Sequence, residues 1–165
     1  MKPLLIIVTV FCSLWGQAQN GYWQQHVDYK MDVTMDVTTY RYSGTQELIY
    51  TNHSPDTLQT VYYHLYNNAF QPGSEMDMRI QHIKDPDSRM VNKIKEGDKE
   101  IKQSRIAQLK PDEIGYLNVS NVRQAGALLE TTVSGTLLKV PLAVALLPGK
   151  STVLTLNFEG QVPMQ

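Results

Sequence analysis

Val27-Asp28-Tyr29-Lys30-Met31-Asp32-Val33-Thr34-Met35-Asp36-Val37-Thr38 alternates apolar and polar residues through six full periods. Side chains of an extended strand point to opposite faces in turn, whereas a helix repeats every 3.6 residues. The run therefore predicts a β-strand, with Val27, Tyr29, Met31, Val33, Met35 and Val37 turned inward. Asp28, Lys30, Asp32, Thr34, Asp36 and Thr38 form its wet face.

The sequence downstream continues in the same style. A second strand is predicted over Ser43 to Thr51, ending at the turn-prone Asn52-His53-Ser54-Pro55-Asp56. A third runs from Leu58 to Tyr66, rich in β-branched and aromatic residues, and Gln71-Pro72-Gly73-Ser74 closes it. Strands resume at Gly115 to Val122, and a turn at Gln124-Ala125-Gly126 leads into Leu128 to Val133. Ser134-Gly135 turns the chain into Thr136 to Val140, and Leu147-Pro148-Gly149-Lys150 turns it into Ser151 to Phe158. About seven or eight short strands, with turns every ~8–12 residues, define an all-β protein, an antiparallel β-sandwich.

One stretch departs from this pattern. Between Lys84 and Arg105 the charge is dense and mixed in sign, and Val91, Ile94, Ile101, Ile106 and Leu109 recur at roughly helical spacing. The reading is a helical or irregular surface insertion around residues 84–110, with Gly97 in its middle and Pro111 as a stop.

The chain opens as an export signal. Met1-Lys2 is positive, Leu4 to Leu14 is an almost unbroken apolar run, and Gly16-Gln17-Ala18 places small residues where a signal peptidase reads. A run of about eleven residues is too short to span ~30 Å of hydrocarbon as a helix. A buried helix would instead carry polar residues at helical spacing. Residues 1–18 are thus expected to be a signal peptide, and residues 19–165 one β-sandwich domain. The 147 residues left of 165 suffice for one core. Cys12 is the only cysteine and follows Phe11, not the small residue lipidation needs, so it leaves with the signal. A thiol-free product suits an oxidising compartment, periplasmic or extracellular.

Composition excludes several classes. Lys+Arg 15 against Asp+Glu 16 leaves no imbalance that points to nucleic acid or an anionic membrane. A hydrophobic fraction of 42% is too high for intrinsic disorder. One cysteine rules out a disulfide framework and any cysteine-rich zinc site. No further segment approaches transmembrane length.

The search for chemistry returns little. His26, His53, His64 and His82 show no i,i+2 or i,i+4 pairing and no H-E-x-x-H. Asp28, Asp32 and Asp36 share a strand face, but neighbours four residues apart lie about 13 Å from each other. That exceeds the ~5–9.5 Å of a glycosidase carboxylate pair, so the row reads as a solvated face. Asp85-Pro86-Asp87-Ser88 begins like a calcium loop, yet Arg89 and Met90 stand where a ligand and a glycine belong. There is no G-x-S-x-G and no Gly-rich phosphate loop. Tyr62, His64 and Tyr66 fall on one face of the third strand, an aromatic strip able to hold a sugar or peptide or to pack on a neighbouring domain. No catalytic, cofactor-binding or metal-ligating residue is assigned.

Three stretches in order carry a resemblance. They are Tyr29-Lys30-Met31-Asp32-Val33 with Tyr42-Ser43-Gly44-Thr45-Gln46-Glu47-Leu48, then Thr60-Val61-Tyr62-Tyr63-His64-Leu65-Tyr66-Asn67-Asn68. The third is Leu147-Pro148-Gly149-Lys150-Ser151 through Asn157-Phe158-Glu159-Gly160-Gln161-Val162-Pro163. The set, from about Tyr22 to Gln165, resembles the N-terminal β-domain of zinc aminopeptidases of the aminopeptidase-N (gluzincin) family, nearest to exported members from Bacteroidetes-type bacteria. The resemblance implies a saddle-like sandwich packed on a thermolysin-like catalytic domain. It implies zinc held there by H-E-x-x-H and a later glutamate, and a G-x-M-E-N-type motif for the substrate amine. None of these motifs occurs in this sequence, so no functional residue carries over and no cofactor is expected in this chain. The expected partners are the chain's own catalytic domain, missing after Pro163-Met164-Gln165, and the parent enzyme's peptide substrate; neither nucleic acid nor a membrane is expected. The rival expectation is a stand-alone exported β-sandwich gripping glycan or protein through the Tyr62/Tyr66 face.

Overall fold

The structure is a computed structural model and describes residues 22–164. The expected signal peptide, with Cys12, lies outside the described residues. Ten strands are present: β1 (His26–Asp36), β2 (Arg41–Thr51), β3 (Leu58–His64), β4 (Val91–Glu96), β5 (Lys99–Ser104), β6 (Tyr116–Gln124), β7 (Ala127–Leu128), β8 (Thr132–Ser134), β9 (Leu137–Leu146) and β10 (Ser151–Gln161). They form a five-stranded sheet in the order β1-β2-β10-β6-β7, a three-stranded sheet β3-β9-β8 and a β4-β5 hairpin. Every pairing is antiparallel. This is the all-β antiparallel sandwich that alternation and turn spacing predict.

The two larger sheets meet through alternate residues. Leu48 of β2, Leu154 and Leu156 of β10 and Val122 of β6 pack against Val61 of β3 and Leu138 and Val140 of β9. These side chains are buried, which supplies the main drive for layering. Polar side chains reinforce it. Gln124 Nε2 donates to the Val144 carbonyl (2.8 Å) and its Oε1 accepts from Val144 N (2.9 Å), so one side chain mimics a strand backbone between the sheets.

The layers differ in width. Three strands cannot cover five, and β1 overhangs at the open end. Tyr29, Met31, Val33 and Met35 lie on the core-facing side, opposite Leu48, Gln46, Gly44 and Tyr42 of β2. Yet they are 55%, 50%, 57% and 49% exposed. The reading of one wet face is corrected here: both faces of β1 meet solvent. Over that end two glycines make room for rings, since a Cβ on Gly44 would strike Asp32 O and come within 2.8 Å of Phe158 Cζ. A Cβ on Gly160 would strike the Tyr42 ring.

Three further expectations are corrected. The regular part of the 84–110 insertion is the β4-β5 hairpin, not a helix. Ile94 and Ile101 are seven apart, which suits two helical turns, but here they face each other across the hairpin. Gly97 (φ 62°) sits in the two-residue turn after Glu96, where a left-handed residue is required, and Lys93 pairs with Glu100 at 3.0 Å. The α-helix of the described residues, α1 (Glu75–His82), lies upstream. Ser74 caps it by accepting from Asp77 N, and Glu75 and Asp77 favour its first turn. The strand expected over Leu128 to Val133 is split, because β7 closes a hairpin on β6 while β8 pairs with β9 in the other sheet. The strand expected to stop at Val140 instead runs through Pro141, which pairs with Thr60, to Leu146, with a register shift against β3 just beyond the proline.

Candidate functional site

The overhang creates a groove of about 460 Å³ between β1, β2 and the edge strand β3. Its lining includes Tyr29 and Met31 of β1 together with Tyr62, Tyr63, His64 and Tyr66. The aromatic strip of the sequence analysis is therefore assembled, with Tyr62 61% and Tyr66 70% exposed. The His64 and Tyr66 rings lie 4.1 Å apart, centroid to centroid. Tyr29 and Met31 joining that strip was not foreseen, because it depends on the sideways offset of two sheets.

Among the described residues no carboxylate, lysine or arginine lines the groove. Burial pushes the Tyr63 phenol well above its usual range; nearby Tyr29 adds to this and Gln46 works against it. Burial likewise raises Tyr50 and Tyr42. These tyrosines stay neutral at physiological pH. Tyr63 Oη and Gln46 Nε2 are buried and have no hydrogen-bond partner among the described residues. The groove thus offers a mainly aromatic surface suited to apolar contact, with His64 the one imidazole among its lining residues.

The other candidates fall into structural roles. His26 and His53 stack with centroids 6.3 Å apart, a proximity their spacing does not reveal. His26 Nε2 lies 3.3 Å from Asp28, and His53 Nδ1 contacts the Gln24 carbonyl at 3.0 Å. Among the described residues no group of three or more His, Cys, Asp or Glu is placed to hold a metal ion. Asp36 accepts from Thr38 N (2.8 Å) and Thr39 Oγ1 (2.8 Å), which hold its carboxyl below the usual range. Asp87 is held down to about 2 by hydrogen bonds from Arg89, at 2.6 Å to Nη2. Asp85 pairs with Lys102 at 3.2 Å. Side-chain cations thus neutralise the acidic loop rejected as a calcium site. Among the described residues no helix is long and apolar enough to cross a membrane.

Neither protein-family models nor curated proteins yield a match to this sequence. Solved structures similar to it include a mutant M1 zinc metallopeptidase from Deinococcus radiodurans and the mutant from that organism bound to a Tyr-Ser-Ala substrate. Another is a two-domain M1 zinc metallopeptidase mutant bound to L-tryptophan. Each is 13% identical with a TM-score of 0.47, covering 86% of this chain and 21% of the other. The chain spans about a fifth of the length of those structures.

Proposed function

We propose that this chain is the non-catalytic N-terminal β-domain of an exported zinc-dependent metallo-aminopeptidase, bracing its catalytic domain and walling one side of the substrate cleft. The observation that carries the reading is the uncovered core-facing row Tyr29, Met31, Val33 and Met35, continuous with an aromatic groove. Apolar surface of this kind on an otherwise well-formed sandwich is the mark of a face made to be covered. The three ordered stretches that resemble gluzincin aminopeptidases support the identity of the covering domain. On this reading zinc and peptide are handled outside this chain.

The test is the reading frame beyond the codon for Gln165. An open frame that encodes H-E-x-x-H and a later glutamate is expected. A stop codon at that position overturns the proposal. It would favour a stand-alone module that holds glycan or protein on Tyr62 and Tyr66, a reading to which their exposure gives specific support.

A further inference from the structure

We propose that β1 pairs antiparallel with β1 of a second copy of this chain, about a two-fold axis through Met31, so that two five-stranded sheets join edge to edge. β1 is the end strand of its sheet, and among the described residues nothing pairs with its outer side. It is eleven residues long, contains no proline, and keeps unbroken register with β2 from His26 to Asp36. A long regular edge is a template for another strand unless charge or a bulge blocks it.

The charges on β1 select the partner and the register. On the polar face they run Asp28 negative, Lys30 positive, Asp32 negative, Thr34 neutral and Asp36 negative. Pairing centred on Met31 sets Lys30 opposite the second copy's Asp32, and Asp32 opposite the second copy's Lys30. Asp28 then faces Thr34, His26 faces Asp36, and no like charges meet. On the apolar face Val27 faces Met35, Tyr29 faces Val33, and Met31 faces itself. Moving the centre one residue toward His26 sets Lys30 against Lys30 and Asp28 against Asp32. Moving it one residue toward Asp36 sets Asp32 against Asp32 and Asp28 against Asp36. A centre two residues off in either direction restores a Lys–Asp pair but leaves four of the eleven strand residues unpaired. The Met31-centred register alone combines full overlap with opposite charges. Because Lys30 and Asp32 flank the axis with opposite signs, the edge is complementary to itself, as a two-fold interface requires.

This pairing uses the outer edge of β1, whereas the proposed domain contact uses its apolar face, so either can fail alone. The experiment is sedimentation equilibrium of the full 165-residue chain over a concentration series, alongside Lys30→Asp, Asp32→Lys and the double exchange. Both side chains are exposed, and thermal melts check that each variant folds. The expected result is a dimer whose dissociation constant rises about tenfold or more in each single variant, as two cross-strand pairs change sign. The double exchange restores the dimer in this register and in neither four-residue-shorter one. A chain that stays monomeric overturns the proposal. So does a dimer indifferent to the single reversals, or one that the double exchange fails to rescue.

Discussion

Asn52 Nδ2 lies 3.0 Å from the carbonyl oxygen of Leu146, tying the end of β2 in one sheet to the end of β9 in the other. The same amide donates to the Asp56 carbonyl at 2.7 Å. Its Oδ1 accepts from Ser54 N (3.0 Å), Ser54 Oγ (2.7 Å) and Gln25 Nε2 (3.1 Å). The Asn52 backbone completes the knot, donating to Lys150 O and accepting from Gly149 N.

Asn52 is fully buried, so Asn52→Ala strands several polar groups at once. Each buried orphan costs about 1–3 kcal/mol. Urea unfolding should show a loss of roughly 3–5 kcal/mol, at the upper end for a single substitution. A loss under ~1 kcal/mol would mean that water replaces these contacts.

Gly44→Ala should wedge β1 away from β2, because the new methyl meets the Asp32 carbonyl and the Phe158 ring. Overpacking of this kind costs about 1–3 kcal/mol. Hydrogen exchange should rise first along β1, the edge strand, while amides of β9 keep their protection.

Tyr63 sets a limit in alkali. Its phenol titrates above the ordinary value of 10.0 because the fold buries it. The unfolded chain releases that proton first, so the stabilisation is complete below pH ~10 and is lost as pH rises toward the folded value. Tyr63→Phe should flatten that decline, as read by denaturant midpoints across alkaline pH. Near neutrality the change should be small or stabilising, since Tyr63 Oη has no partner to lose.

Asp77 acts at the acid end. Burial works to raise its pKa, but hydrogen bonds from Gly73 N (2.8 Å) and Gln81 Nε2 (2.9 Å), with the Ser104 hydroxyl nearby, more than offset this and hold it below the ordinary carboxylate value. In acid the unfolded chain binds the proton first. The contribution is therefore present above the ordinary carboxylate value and is lost as pH falls through the lowered one. Asp77→Asn should cost about 1–2 kcal/mol at neutral pH and reduce the slope of stability below pH ~4. An unchanged slope would place the acid sensitivity elsewhere.

Strands were legible where the side-chain period is two. The β1 run declares itself because each residue contributes to the same alternation, and the Pro-Gly turn before Ser151 marks the start of β10. The β4-β5 hairpin was misread because Ile94 and Ile101 satisfy helical spacing and cross-strand pairing alike. Gly97, a poor residue for a helix interior, makes the turn. The crossing between Leu128 and Thr132 was hidden because a strand that changes sheets keeps its composition. The groove could not be read at all. Tyr62 and Tyr66 announce an aromatic strip, but that Tyr29 and Met31 face it depends on how far one sheet overhangs the other, and no local pattern encodes that distance.

The strand order has a temporal consequence. β10 lies between β2 and β6, yet among the strands of the described residues it is the last to leave the ribosome. Until it arrives, the five-stranded sheet has no middle, and the facing edges of β2 and β6 stay open. Vectorial synthesis therefore cannot build this sheet progressively from its N-terminal hairpin. The sandwich closes in a late step, whose β2–β10 pairs join residues a hundred or more apart in sequence, the class of topology that folds slowly.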